Sequence, residues 1–237
     1  MSVSYSPKSI SSGLVLCLDS TNPKSYPGTG TKWYDISGYG NHGTLNNFTG
    51  ASAGTLSGFD SNTGYMMFDR HVGTGDGVAN NYVSVASSSS LAECLSQNGV
   101  SVEIWLKMTT YYCTALTRWA GPWEVYYCSG LVHRTMGTGG SDGSSSVAAS
   151  TYLNQFHQIV ATHDGVNRRL YVNGAQVFSD VNIVTAQDST ATMGIGAYSN
   201  GNYAFVGAIP IFRVYNRHLA ASEVQSSFNS LKGKFRI

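Results

Sequence analysis

Val100-Ser101-Val102-Glu103-Ile104-Trp105-Leu106-Lys107 alternates apolar and other residues without a break. In an extended chain Val100, Val102, Ile104 and Leu106 share one face, and Ser101, Glu103, Trp105 and Lys107 share the other. Such alternation marks a strand of an antiparallel sheet with one face on a core and the other accessible. Working outward, Gly13–Asp19, Tyr65–Asp69 and Tyr82–Val85 read as further short strands. Tyr111–Arg118 and Glu124–His133 flank a hairpin tip at Trp119-Ala120-Gly121-Pro122-Trp123. Phe156–His163, Arg168–Val172 and Ala175–Phe178 form a meander whose second turn is Asn173-Gly174. That dipeptide suits a type I′ turn, which needs φ > 0 at both central residues. Ala191–Tyr198 and Ala204–Tyr215 close the series.

Only the end reads as helical. Val224, Phe228 and Leu231 fall on one face of Ala221–Leu231, and Gly233 is placed to stop the helix. Ser87–Ser90 and Gly137–Ser146 read as exposed loops too short to separate domains. Many short strands without βαβ alternation predict one domain over residues 1–237. Its expected fold is all-β, an antiparallel β-sandwich of the jelly-roll kind with a short C-terminal helix.

Composition narrows the function. The 14 basic and 13 acidic residues leave a formal charge of +1, and no basic cluster offers a nucleic-acid surface. Charged residues make up 11% of the chain against a usual ~25%, so Gly, Ser, Thr, Asn and Tyr carry the polarity. No apolar run approaches the ~18 residues of a membrane span, and residues 1–12 lack the apolar core of a signal peptide. Synthesis in a cytoplasm is therefore expected. Cys17, Cys94, Cys113 and Cys128 show no metal-type spacing and read as buried free thiols. Cys113 and Cys128 also lie where a hairpin would let them face each other, a pairing that a reducing compartment disfavours.

The stretch Trp33–Leu45, with Gly38, Gly40 and Gly43 among Asp35, Ser37 and Asn41, is neither helix nor plain strand. It reads as scaffold, with Trp33 and Ile36 pinning it to the sandwich. Together with Gly13–Asp19, Asn22–Gly28, Val100–Trp105, His157–Gly165, Leu170–Gly174 and Arg213–Arg217, it resembles laminin-G-like domains of the concanavalin A-like lectin/glucanase superfamily. The Asn22–Gly28 element, the Trp33 loop and the Phe228–Phe235 segment are similar to versions found in tailed-phage virion proteins, including those of marine and cyanobacterial phages. That resemblance implies a concanavalin A-like jelly roll and a place in the virion. The implied role is a capsid decoration, neck or fibre-type subunit, made in the host cytoplasm, whose partners are other virion proteins or further copies of itself. The chain departs from the family at Asn80-Asn81 and Pro210-Ile211, where acidic residues are usual, and at Phe156, where Trp is usual. Two of these changes remove carboxylates and lower the expectation of a family-type calcium site.

Glucanases of this fold need two carboxylates roughly 5–5.5 Å apart in retaining enzymes, drawn from a Glu-x-Asp-x-x-Glu strand. Here Glu103 is followed at those positions by Trp105 and Met108. A glycan hydrolase is thus the remotest reading, and no catalytic residue or cofactor is called for. A lectin-like module would use the face carrying Glu103 and Trp105, with Trp119 and Trp123 at the hairpin tip, Tyr126 beside them, and Tyr198 and Tyr203 as further candidates. The ligand would be a cell-surface glycan. With 15 Tyr and 4 Trp, most rings must also fill or cap the core. Pro210 and Ile211 make an apolar strand position that implies either cover by a neighbouring protein or a bulge turning Ile211 inward. Asp60, Asp69 and Asp76 surround a Gly-rich loop and form the one candidate Ca²⁺ set, though Asp and Gly also simply make turns.

Overall fold

The structure is a computed structural model in which residues 10–48, 57–69, 80–96, 99–110, 114–119, 123–128, 130–135, 141–183 and 191–237 are described. Among these, the strands in chain order are β1 (Leu14–Asp19), β2 (Lys32–Trp33), β3 (Gly43–Asn46), β4 (Gly58–Asp60), β5 (Tyr65–Phe68), β6 (Tyr82–Val85), β7 (Val100–Met108), β8 (Thr114–Trp119), β9 (Trp123–Tyr127), β10 (Gly130–Thr135), β11 (Ser141–Ala148), β12 (Phe156–His163), β13 (Asn167–Val172), β14 (Ala175–Val181), β15 (Met193–Ile195) and β16 (Gly207–Tyr215). Two helices, α1 (Ser89–Ser96) and α2 (Ala221–Leu231), join them, with 3-10 turns at Ala149–Tyr152 and Lys232–Phe235. No helix among the described residues is long and apolar enough to cross a membrane.

The strands form two antiparallel sheets. The first runs β14-β13-β12-β7-β16-β5-β4, with β1 also paired to β16; the second runs β11-β10-β9-β8-β15-β6-β3-β2. Inward residues at alternate positions meet between them. Val102, Ile104 and Leu106 of β7, with Leu16, Ile159, Phe212 and Val214, pack against Val83, Val85, Leu116, Val125 and Ile195 of the second sheet. Each such side chain contributes roughly 1.5–3 kcal/mol on full burial. Asn173 (φ 50°) and Gly174 (φ 80°) turn β13 into β14 with the two positive φ values expected of them.

Three local expectations change. Residues 89–96 form α1 instead of continuing a serine loop: Ser88 Oγ accepts from the Leu91 amide, and Leu91 and Cys94 enter the core. Residues 141–146 of the second serine stretch belong to strand β11, with Gly143 and Ser145 buried. The expected strand Glu124–His133 is two strands, β9 and β10, paired with each other. α2 ends at Leu231, before Gly233, as expected, and the chain then continues through the 3-10 turn and carries Phe235 inward. Cys17 and Cys94 are free and buried as expected, whereas Cys128 is disulfide-bonded, so the free-thiol reading fails there. Cys113 lies outside the described residues.

The short C-terminal helix does the most to shape the molecule. Its buried stripe is Val224 and Ser227, flanked by the half-buried Phe228 and Leu231. Glu223 holds its start by accepting from the Ala220 amide (2.9 Å) and pairing with Arg217 (2.6 Å). This stripe lies on the outer face of the first sheet, the side away from the core, and closes it.

Candidate functional site

The outer face of the first sheet is where Glu103 and Trp105 project. Cross-strand register sets Glu103 beside Arg213 of β16, and Arg213 beside Cys17 of β1. Glu103 is 0% exposed and Arg213 is 5% exposed. A carboxylate here must be fully hydrogen-bonded to stay charged, and it is. Its Oε1 accepts from Trp105 Nε1 (2.8 Å), Gln158 Nε2 (2.8 Å) and Ser227 Oγ (2.6 Å). Its Oε2 accepts from Tyr215 OH (3.0 Å) and Arg213 Nη1 (3.3 Å). Burial pushes the Glu103 carboxyl up, but Arg213 and then the Ser227, Trp105 and Gln158 donors outweigh it and hold it below the usual carboxylate range. Burial, reinforced by Glu103, pushes the Tyr215 phenol well up.

Apolar contacts seal both sides of this centre. Trp105 stacks on Phe235 (4.8 Å, 23°) and on Phe228 (5.9 Å, 8°), in a cluster with Ile211 and Phe156. Val160, Tyr171, Tyr215, Leu219 and Val224 form the other flank. The accessible face expected of the alternating strand is therefore absent. Trp105 is 0% exposed and no sugar reaches it in this arrangement. Glu103 likewise faces protein donors on both oxygens and is closed to a substrate.

The other expected residues scatter. Trp123, placed at an exposed hairpin tip, is instead buried in the main core, while only the backbone of Trp119, paired with Trp123 and Met193, is described. Tyr126 is half-buried on β9, opposite Val132. Pro210 lies at a register shift of β16 between Ala208 and Ile211, a position where a central strand tolerates proline. Its carbonyl accepts from the Ser20 amide (2.9 Å). The register shift is present, but it does not turn Ile211 into the main core: Ile211 stays on the outer face beside Trp105 and is buried there against Phe235 of its own chain, which corrects both the inward turn and the cover by a neighbour. Tyr198 and Tyr203 pack as a pair (4.8 Å), with Tyr203 largely exposed.

Asp60 and Asp69 do not converge. Asp60 closes the β4–β5 turn, accepting from the Asn62 amide (2.9 Å) and Thr63 Oγ1 (2.7 Å), whereas Asp69 follows the far end of β5. Asp76 lies outside the described residues. Among the described residues no group of three His, Cys, Asp or Glu is placed to hold a metal ion.

The Trp33–Leu45 loop is organised from within. Asp35 accepts from the amides of Cys17, Ser37 and Asn41, and Asn41 Nδ2 donates to the Val15 carbonyl (2.7 Å). Trp33 is fully buried as expected, but Ile36 is not a pin: it projects outward at 38% exposure, along with Tyr39 at 58%.

A feature that strand periodicity does not flag lies at the open side of the sandwich. A cavity of about 340 Å³ is lined by Tyr26, Gly28, Thr29, Gly30, Thr31, Leu45, Phe48, Gly58 and Phe59. It lies where β4 ends the first sheet and β2 ends the second. The signal for it is the run Tyr26-Pro27-Gly28-Thr29-Gly30-Thr31, in which an aromatic precedes small residues that leave backbone uncovered.

Comparison with known proteins agrees with this architecture. The binding domain of botulinum neurotoxin DC in complex with SialylT is similar over 94% of this chain and 52% of its own length (TM-score 0.64, 15% identity). The binding domain of Paraclostridial Mosquitocidal Protein 1 is similar over 92% of this chain and 52% of its own (TM-score 0.61, 18% identity). The chain thus spans about half the length of these toxin domains. It spans 97% of domain 4 of AbnA, a GH43 extracellular arabinanase from Geobacillus stearothermophilus, in complex with arabinotriose (90% of this chain, TM-score 0.60, 18% identity). No curated protein matches the sequence. The model of the laminin G-type family matches residues 75–225, well over half of the chain. With two antiparallel sheets, a jelly-roll core and that match, the chain belongs to the laminin G-type family of the concanavalin A-like lectin/glucanases superfamily.

Proposed function

We propose that this protein is a non-enzymatic adhesion module that binds carbohydrate at the rim of its sandwich and serves as a surface subunit of a tailed-phage virion, of the decoration, neck or fibre kind. The observation that carries the non-enzymatic part is the closure over Glu103. A glycosidase of this architecture needs an open carboxylate pair on that face. Here one carboxylate takes five protein donors beneath α2. Binding then falls to the rim, where loops are held rigid by their own hydrogen bonds and carry exposed rings.

Several facts support this reading. The similar structures include a toxin binding domain in complex with SialylT and an arabinanase domain in complex with arabinotriose. The same botulinum neurotoxin DC binding domain is also similar in its complex with rat synaptotagmin II, so a protein partner suits the same scaffold. The disulfide at Cys128 suits a virion or extracellular surface better than a reducing cytosol. The virion setting rests on the likeness of the Asn22–Gly28, Trp33–Leu45 and Phe228–Phe235 segments to phage versions of the fold.

Two measurements test the proposal. The purified chain is applied to a glycan array, and virions carrying this sequence are analysed by mass spectrometry. Binding to a defined set of glycans, with the chain in fixed proportion to the major capsid protein, is expected. An array without signal removes the carbohydrate function; absence from washed particles removes the virion role.

A further inference from the structure

We infer that the 340 Å³ cavity between the two sheet edges is a seat for one neutral sugar ring. The inference rests on the carbohydrate-binding reading above and gives that reading a location and a ligand class.

The walls are aromatic and fixed. Tyr26 and Phe59 lie 5.1 Å apart at 51°, and Phe48 is held edge-on against the core ring of Phe68 (5.3 Å, 75°). Tyr26 OH donates to the Gly30 carbonyl (2.7 Å), which ties the ring to the loop that passes over it. Sugar rings present a C–H face to such surfaces and hydroxyls at their edge, so a seat needs rings below and small polar groups around.

The polar rim is equally well defined. Gly28 (φ 92°) and Gly30 (φ 87°) hold the loop in a conformation that L side chains rarely adopt, and among the described residues, its own chain neighbours aside, no atom lies within 4 Å of where a Gly30 Cβ would stand. Gly30 therefore adds no side chain to the mouth, where it lies exposed between Thr29 and Thr31. Both ends of the loop are anchored. The Ser25 and Tyr26 amides donate to the Asn22 carbonyl (2.8 and 2.9 Å), and the Leu45 amide donates to the Thr31 carbonyl (2.7 Å). A loop already ordered loses little entropy when a ligand arrives.

Charge selects the ligand class. Of the lining side chains only Tyr26 titrates, and burial pushes its phenol up, so the wall is uncharged at neutral pH. The adjacent cation, Lys32, is turned over the Tyr34 ring (5.1 Å). The adjacent anion, Asp60, is occupied by its own turn. No lining side chain offers an acidic sugar a counter-charge, whereas a neutral one meets rings, hydroxyls and peptide groups. The volume is near the lower end of the roughly 300–1,000 Å³ range of ligand pockets, which fits one ring better than an oligosaccharide.

The test is a two-dimensional NMR titration of the intact chain with D-glucose, D-galactose, D-mannose, L-fucose and L-arabinose, and with sialic acid as the anionic probe. At least one neutral sugar is expected to shift the amides of Gly28, Thr29, Gly30 and Thr31, and sialic acid is expected not to. Thr31→Trp fills the mouth from an exposed position, so folding is retained; Phe59→Ala removes one wall. Each is expected to weaken the sugar about tenfold or more. A sugar that binds the wild type and Thr31→Trp equally, or that shifts other amides, overturns this seat while leaving the adhesion reading intact. Preference for sialic acid at these amides overturns the neutral class. Silence from every sugar here and on the glycan array removes the seat together with the carbohydrate reading.

Discussion

The outer face of the first sheet and the cavity at its edge both gather aromatic rings around polar groups. They differ in what those polar groups face. On the sheet, both Glu103 oxygens are taken by donors of the same chain, and Trp105 is stacked on Phe228 and Phe235. At the cavity, Thr29, Gly30 and Thr31 are exposed beside open volume. The first arrangement contributes to stability because nothing is left for a ligand; the second leaves open volume beside exposed loop residues. An acid and a tryptophan two residues apart on one strand suggest a sugar groove, yet a helix more than a hundred residues downstream converts them into part of the interior.

The largest expected effect separates the two regions outright. Glu103→Ala leaves the Arg213 guanidinium buried without its counter-charge and strips a partner from Trp105, Gln158, Ser227 and Tyr215. Breaking a buried pair in this way costs about 3–5 kcal/mol, read as a lower urea midpoint. A loss under about 1 kcal/mol in that measurement would mean that the face opens to water and that the contrast is false.

Much of the frame is legible in the sequence because period two is a local signal. β1, β5, β6, β7, β12 and the Asn173-Gly174 hairpin lie where alternation and turn chemistry put them. The missing parts depend on distant contacts. Nothing near Glu103 shows that Ser227 will meet it, because a serine within an amphipathic stripe reads as an interruption. Gly233 reads as the end of α2, where the helix does end, but nothing near it shows that a 3-10 turn will bring Phe235 onto Trp105. α1 escapes notice because its helical signal is only Leu91 and Cys94 behind a serine cap. The cavity joins residues from three separate segments, and only Tyr26–Thr31 hints at it.

A second prediction sharpens the contrast through pH. His157 sits on β12 next to Gln158 but faces the core, with Nδ1 at 3.1 Å from the Gln155 carbonyl and Nε2 at 3.3 Å from Tyr127 OH. Burial pulls its imidazole from an ordinary 6.5 down to about 4. The unfolded chain therefore takes up the proton first as pH falls. The stability tied to neutral His157 is complete above pH 6.5 and drains away down to about pH 4, a loss of about 3 kcal/mol. Below the ordinary carboxylate range Glu103, whose folded-state value is depressed, adds to the loss as it too is protonated. The cavity, lined by no group that titrates there, should hold its sugar affinity unchanged wherever the chain remains folded. Urea midpoints between pH 7 and 4 check the first half, and the same NMR titration at pH 7 and 5.5 checks the second. A flat stability profile in wild type, matching that of His157→Leu, would show that this histidine is solvated.

The smallest expected effect is the most discriminating. Thr31 is exposed, and its structural contribution is its carbonyl, which any residue supplies to the Leu45 amide. Thr31→Trp should therefore move the unfolding free energy by no more than about 0.5 kcal/mol, as for surface substitutions away from caps and networks. Ser227→Ala, exchanging one small residue for another, should cost about 1.5–3 kcal/mol, because it takes a hydrogen bond from a buried charge. Paired urea melts of the two variants set the regions against each other: the bulky change at the rim is tolerated and the minimal one under α2 is not. Equal losses would place Thr31 within the packed frame, and the cavity would then belong to the interior, like the face that carries Glu103.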